Sequence, residues 1–145
     1  MERVLHILHA DDDEEDRWIF QDGLNKCDLT ITLTQFEDGL HLLKHIETIQ
    51  LDQKTLYAII CDMQMPFIDG AGVLSQVKAI PGWREVPFII FSTSSLKEDI
   101  RNCMNKGALA FYSKPDTFPD SQRIIEEMIQ CCQKQVVSNQ LSFLH

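Results

Sequence analysis

Four apolar runs of the chain end in side chains able to do chemistry. "RVLHILHA" (3–10) leads into Asp11 and Asp12, and "LYAIIC" (56–61) leads into Asp62. "PFIIFS" (87–92) closes on Ser92 and Thr93, and "ALAFYS" (108–113) on Lys114 and Pro115. A carboxylate at the end of so apolar a run as that before Asp62 is costly unless something pairs with it. Three carboxylates brought close together repel and raise one another's pKa unless a cation neutralises them. Mg²⁺ suits such a set, because it takes oxygen ligands, keeps several waters and binds one or two carboxylates together with a phosphate oxygen. A carboxylate beside it can attack phosphorus and form an acyl phosphate. The transferred group then needs a lysine, a hydroxyl and backbone N–H donors around it. Asp62, Lys114, Ser92 and the neighbouring loop amides offer that set.

These residues meet only if the elements deliver them to one place. The runs at 3–10, 29–36, 56–61, 87–92 and 108–113 read as strands, and most are apolar on both faces, as parallel strands covered by helices are. Between them the period changes to that of a helix. Leu42, Leu43, Ile46 and Ile49 share one face, as do Val73, Leu74, Val77 and Ile80. Leu96, Ile100, Cys103, Met104 and Gly107 form a third stripe, and Ile125, Met128, Ile129, Cys132 and Val136 a fourth. The first helix carries Trp18, Ile19, Phe20 and Leu24 after the acidic block, with Asp13 as its N-cap; Trp18 and Trp83 are expected against the sheet. Ser95 to Glu98 reads as a capping box, Thr117 to Asp120 resembles one, and Gly107 closes the fourth helix. The result is a βα unit repeated five times, expected to form a doubly wound parallel sheet with helices on both faces. In such sheets ligands bind outside the carboxyl ends of the strands, where the topology switches direction.

The chain has 145 residues, 44% of them hydrophobic and 24% charged, as expected of one globular domain. Residues 3 to about 134 form its core, and 135–145 extend the last helix or form a tail. A net charge of −9 argues against direct binding to nucleic acid or an anionic membrane. No run approaches the length of a membrane span, and the acidic N-terminal stretch is unlike a secretory signal, so a cytoplasmic protein is expected. The five cysteines lack metal-knuckle spacing and fit reduced, mostly buried thiols.

Taken together, "ADDDEED", "IICDMQMPFIDG", "IIFSTSS" and "GALAFYSKP" resemble the receiver domain of two-component response regulators, in the family's order and spacing over residues 3 to about 134. The resemblance implies a doubly wound (βα)5 flavodoxin-like fold, its five parallel strands in the order 2-1-3-4-5 with helices on both faces, and Asp62 as the phosphoacceptor for a histidine kinase or a histidine phosphotransfer protein. It implies Mg²⁺ as cofactor, with Mn²⁺ able to substitute, held by Asp11, Asp12, Asp62 and the main-chain carbonyl of Gln64. Ser92 would be the switch hydroxyl, with Thr93 beside it, Lys114 would bridge to the phosphoryl group, and Pro115 would follow a cis peptide. Phe111 takes the place of the aromatic switch, where tyrosine is frequent, so no phenolic hydrogen bond is available. Ser92 stands where threonine is commoner, and the non-acidic Gln64 and Ser94 flank the acceptor where side chains set the phosphoryl lifetime. The output would be a reshaped surface of the fourth helix, fifth strand and fifth helix, read by a downstream protein or a homodimer. More narrowly, the chain resembles stand-alone receivers encoded beside bacteriophytochrome or hybrid histidine kinases.

Each feature has a plainer reading. Asp11 and Asp12 alone would suit a helix N-terminus, and Lys114 alone would be a surface lysine. His41 and His45 are spaced like metal ligands but have no evident third partner. "DGAG" (69–72) lacks the last glycine of a dinucleotide loop. A haloacid-dehalogenase-like phosphatase also uses a strand-end aspartate, but it needs a second acid two residues on, where Gln64 stands. A degenerate receiver, acting as a phosphorylation-independent binding module, is the remaining alternative to the phospho-switch.

Overall fold

A computed structural model describes residues 4–28, 30–94 and 96–143, the last four of them by backbone alone. Strands and helices alternate throughout: β1 (Val4–Ala10), α1 (Glu14–Cys27), β2 (Thr32–Phe36), α2 (Gly39–Thr48), β3 (Thr55–Cys61), α3 (Gly70–Ala79), β4 (Phe88–Ser92), α4 (Lys97–Asn105), β5 (Ala110–Ser113) and α5 (Phe118–Phe143). All four strand pairings are parallel, as the alternating pattern predicts, and the order is β2-β1-β3-β4-β5, as the resemblance implies.

Strand geometry divides the core in two, because successive side chains point to opposite faces. Leu8, Ile59, Phe88 and Ile90 meet Leu42, Ile46, Val73, Leu74 and Val77 of α2 and α3 on one face. Ile7, Ala58, Ile60 and Ile89 meet Phe20 and Leu24 of α1 and Ile125, Met128 and Ile129 of α5 on the other. The three central strands are therefore apolar on both sides. The edge strand β2 is only half-buried and starts later than the apolar run suggests. Asp28 is the cause: its Oδ1 accepts from both the N–H and the hydroxyl of Thr30, which closes a turn there; the expected strand start at Leu29 lies outside the described residues.

Three expectations are corrected. Trp18 does not pack against the sheet but is 58% exposed, its ring 6.4 Å from that of Phe118. Two residues along a helix turn a side chain about 200°, so with Phe20 directed inward Trp18 must face outward. The α4 stripe is thinner than its spacing suggests, for Cys103 is buried while Leu96 and Met104 are exposed. Leu96 is the N-cap of that short helix and has no side-chain capping bond, and Ser95 of the expected capping box lies outside the described residues. No peptide bond among the described residues is cis, so Lys114–Pro115 is trans, the isomer that X–Pro bonds prefer by about 0.5–1 kcal/mol. Trp83, by contrast, is buried with its ring 5.3 Å from Tyr57, and Gly107 ends α4 at φ 104°, a value that suits glycine.

Two loops are held in ways that invite measurement. Asp38, buried at the start of α2, accepts from the N–H of His41 at 2.8 Å and from its ring Nδ1 at 2.8 Å. Asp38→Ala should lower stability by about 1 kcal/mol, the usual worth of such a cap, as read by urea unfolding. Phe67, between β3 and α3, has φ 73° and is 82% exposed, so a bulky side chain sits in left-handed backbone without burial to offset it. Phe67→Asn should raise the unfolding free energy by up to about 1 kcal/mol, because asparagine tolerates that conformation better.

Candidate functional site

The carboxyl ends of β1, β3, β4 and β5 open on one mouth, and backbone hydrogen bonds tie it together just beyond the strands. Asp62 N–H donates to Ala10 O at 2.9 Å, Asp11 N–H to Phe36 O at 3.1 Å, and Lys114 N–H to Ser92 O at 2.8 Å. Each of these residues thus extends the ladder by one step and arrives at the mouth in fixed register. On the α3 side, Gly70 N–H donates to Met63 O at 2.8 Å. A Cβ on Gly70 would stand 2.5 Å from Asp62 O, so only glycine lets α3 begin this close to the acceptor loop.

Lys114 is the centre of the site. Its Nζ donates to Asp11 Oδ2 at 2.7 Å, to Asp62 Oδ2 at 2.8 Å and to Asp16 Oδ2 at 2.8 Å. Asp11 and Asp62 are both buried, and this ammonium is what makes their burial tolerable. Burial works to lower the pKa of Lys114, but the charges and hydrogen bonds of Asp11, Asp16 and Asp62 outweigh it and hold the lysine well above its ordinary value. Burial pushes the Asp11 carboxyl up to about 6, against the pull of Lys114 and of the Asp13 N–H that Asp11 Oδ1 accepts at 3.0 Å. The second oxygen of Asp62 faces the N–H of Gln64 at 3.4 Å.

Asp12 completes the acidic side. One oxygen from each of Asp11, Asp12 and Asp62 lies within 4.8 Å of the others, with Asp12 exposed and the other two buried. An all-oxygen, carboxylate-rich set that opens to solvent fits a hard divalent cation that keeps part of its water shell.

The other expected residues are distributed unevenly. Ser92 is fully buried, its Oγ accepting from Ser94 N–H at 3.3 Å, while Thr93 is exposed at the mouth. Phe111 is half-buried on β5, paired in register with Ile90 and packed on the α2–α3–α4 side of the core. His41 and His45 do not act together: His45 lies against Phe36 with ring centroids 5.1 Å apart, and His41 is engaged by Asp38 and approaches Glu37 at 3.9 Å.

Two features escaped the sequence reading. One is Asp16, whose signal was present in its place: it lies in the first turn of α1, directly after the loop that carries Asp11 and Asp12. The other is a polar chain behind Asp11. Arg17 Nη1 donates to Asp11 O at 2.6 Å, Gln35 Nε2 donates to Arg17 O at 2.8 Å, and the same nitrogen stands 3.0 Å from Nδ1 of His9. Burial, followed by the charges of Lys114 and Arg17, lowers His9 to about 3, so its ring is neutral at ordinary pH, stacked on Phe20 at 4.1 Å. Nothing in the periodicity of β1 or β2 marks these three residues as neighbours.

The family model described as response regulator receiver domain matches residues 7–129. Two-component response regulator ARR17 of Arabidopsis thaliana is 30% identical over 138 residues, covering 90% of this chain and 89% of that protein. Among solved structures, the Mn²⁺-bound form of response regulator Rcp1 matches with a TM-score of 0.75 at 20% identity, covering 85% of this chain and 90% of that one. The phosphorylated cyanobacterial phytochrome response regulator RcpA matches with a TM-score of 0.77 at 18% identity, covering 88% and 91%. These two structural likenesses are of fold. The family match along most of the chain and the identity to a plant response regulator agree with the sheet order and with the acids and lysine gathered at its mouth: the chain belongs to the response regulator receiver domains.

Proposed function

We propose that residues 1–145 act as one receiver unit in which Asp62 accepts a phosphoryl group from the phosphohistidine of a histidine kinase or a histidine phosphotransfer protein. The observation that carries this reading is the buried Asp62 carboxylate, bonded to Lys114 and grouped with Asp11 and Asp12 at a solvent-facing mouth. An Asp62 oxygen forms its bond to phosphorus as the phosphorus–nitrogen bond of the donor breaks. The bonding pair leaves with the imidazole nitrogen. Lys114 and the Ser92 hydroxyl donate to the phosphoryl oxygens, and Thr93 contributes its loop amide beside them. Asp11, Asp12, Asp62 and the main-chain carbonyl of Gln64 would hold the cation. Bound Mg²⁺, or Mn²⁺ as in the Rcp1 structure, would neutralise charge on the carboxylates and the phosphoryl group.

Receiver domains are signalling proteins, and this chain has no acid two residues after Asp62 to serve turnover; the residue there is Gln64. Hydrolysis of the phosphoaspartate is then self-directed and resets the switch. The output surface is that of α4, β5 and α5, joined to the site through Ser92 and Phe111. Support comes from a difference in burial: α4 buries one residue, Cys103, whereas α3 buries five. A helix so lightly held can shift at small cost. The partners are a kinase or phosphotransfer protein and a downstream protein, or a second copy of the chain; the acidic surface makes direct DNA binding unfavourable.

Incubation with acetyl phosphate and Mg²⁺ should add one phosphoryl group by intact mass, and the gain should vanish in Asp62→Asn and in EDTA. A folded protein that gains no mass and shows no response to beryllofluoride would instead be a phosphorylation-independent binding module. Mg²⁺ titration should raise the thermal midpoint progressively, with about 2.7 kcal/mol gained at a hundredfold excess over Kd. Asp12→Asn should lose most of that gain, as read by differential scanning fluorimetry.

A further inference from the structure

Asp16 is the acceptor of Lys114 that lies outside the grouped cation ligands. An ammonium has three N–H donors, and here Asp11, Asp62 and Asp16 take all three. The three acceptors are not alike. The side chains of Asp11 and Asp62 are 1% and 9% exposed and have oxygens in the Asp11–Asp12–Asp62 group, whereas Asp16 is 33% exposed and is not part of it. A cation held by the Asp11–Asp12–Asp62 group would draw on oxygens of Asp11 and Asp62, and a phosphoryl group on Asp62 would take one of its oxygens. Both residues are acceptors that Lys114 uses. Asp16 belongs to neither set.

The position of Asp16 is also well determined. It sits in the first turn of α1, where Asp13 caps the helix by accepting the N–H groups of Glu15 at 2.9 Å and Asp16 at 3.2 Å. Its carboxylate therefore projects from a fixed turn toward the end of β5. Lysine, in contrast, carries its charge on a flexible four-carbon stem that would otherwise be free to swing into solvent.

We propose that Asp16 is a positioning residue that holds the Lys114 ammonium at the acceptor oxygen of Asp62 while a cation and a phosphoryl group take over the other carboxylate oxygens. This inference rests on the phosphoacceptor reading of Asp62. Asp16 touches neither the phosphorus nor the cation and acts through Lys114.

The test uses the full chain with Asp16→Ala, Asp16→Asn and Asp16→Glu, all shown to be folded by urea unfolding. The first readout does not depend on phosphorylation: the side-chain ¹H–¹⁵N ammonium signal of Lys114 in the Mg²⁺-bound protein, assigned through its absence in Lys114→Arg. A held ammonium exchanges slowly and gives a resolved signal in the parent chain and in Asp16→Glu, and that signal should disappear in Asp16→Ala. The second readout is phosphorylation by acetyl phosphate. The maximal rate should fall about tenfold in Asp16→Ala and Asp16→Asn, with the KM for the donor and the apparent Kd for Mg²⁺ within about twofold of the parent and with recovery in Asp16→Glu. Unchanged rate and signal in Asp16→Ala would reduce the contact to a surface ion pair and overturn the proposal. A faster rate would overturn it too, making Asp16 a competitor for the lysine. A parent chain that shows the ammonium signal but gains no phosphoryl group would refute the phosphoacceptor reading instead.

Discussion

The structure is organised around one ammonium group placed among carboxylates at the open end of a parallel sheet. Burying a carboxylate costs several kcal/mol, and burying two close together costs more unless a cation lies between them. Lys114 is that cation, bonded to Asp11, Asp16 and Asp62 at once. With Asp12 at the rim, four carboxylates face one ammonium, so the mouth keeps an excess of negative charge even when every N–H of the lysine is used. That excess is what suits the site to a further, divalent cation. It is also why the chain must hold the group so firmly, by backbone bonds from Asp11, Asp62 and Lys114 to the adjoining strands.

The sheet order is what allows one lysine to reach so many acids. β1 lies between β2 and β3, the place where strand order reverses, and helices connected in opposite directions part there to leave a crevice. Asp11 and Asp62 come from the two strands flanking that crevice. Lys114 comes from β5, at the sheet's far edge, and its long stem spans the end of β4 to reach them. Along the way Nζ passes 5.9 Å from the ring of Phe91, an apolar neighbour that keeps water from one side of the charge. Behind the crevice, the chain from Arg17 through Gln35 to His9 satisfies polar groups that the packing of β1 against α1 would otherwise leave buried and unpaired.

Packing is uneven around this centre. α3 buries five residues, and its start is locked to the Asp62 loop by Gly70; α5 contributes a continuous stripe from Ile125 to Val136. α4 is short, lacks a side-chain cap and exposes Leu96 and Met104. The stable part of the fold thus supports the acids and the lysine, and the least anchored helix stands next to Ser94, whose hydroxyl donates to Asp99 of α4 at 3.2 Å.

By itself the sequence determined the alternation of strands and helices, the parallel sheet that follows from it, and the residues that close each strand. The strand order was legible only through the likeness of its motifs to a family. The first three are local: period, caps and strand ends are read within a few residues. The pairing of Asp11, Asp62 and Lys114 was legible because all three lie at strand ends, which a parallel sheet brings to one side. Only the tertiary structure decided that Asp16 joins them, that Trp18 faces solvent, that β2 begins after the Asp28 turn, and that Arg17, Gln35 and His9 form one chain. The β2 start rests on the local Asp28–Thr30 turn, which the apolar run masked. The place of Asp16, the outward Trp18 and the Arg17–Gln35–His9 chain depend instead on the rotation of a helix about its axis or on a contact between residues distant in sequence. Such contacts are settled by competition among packings of the whole molecule, which no local period records.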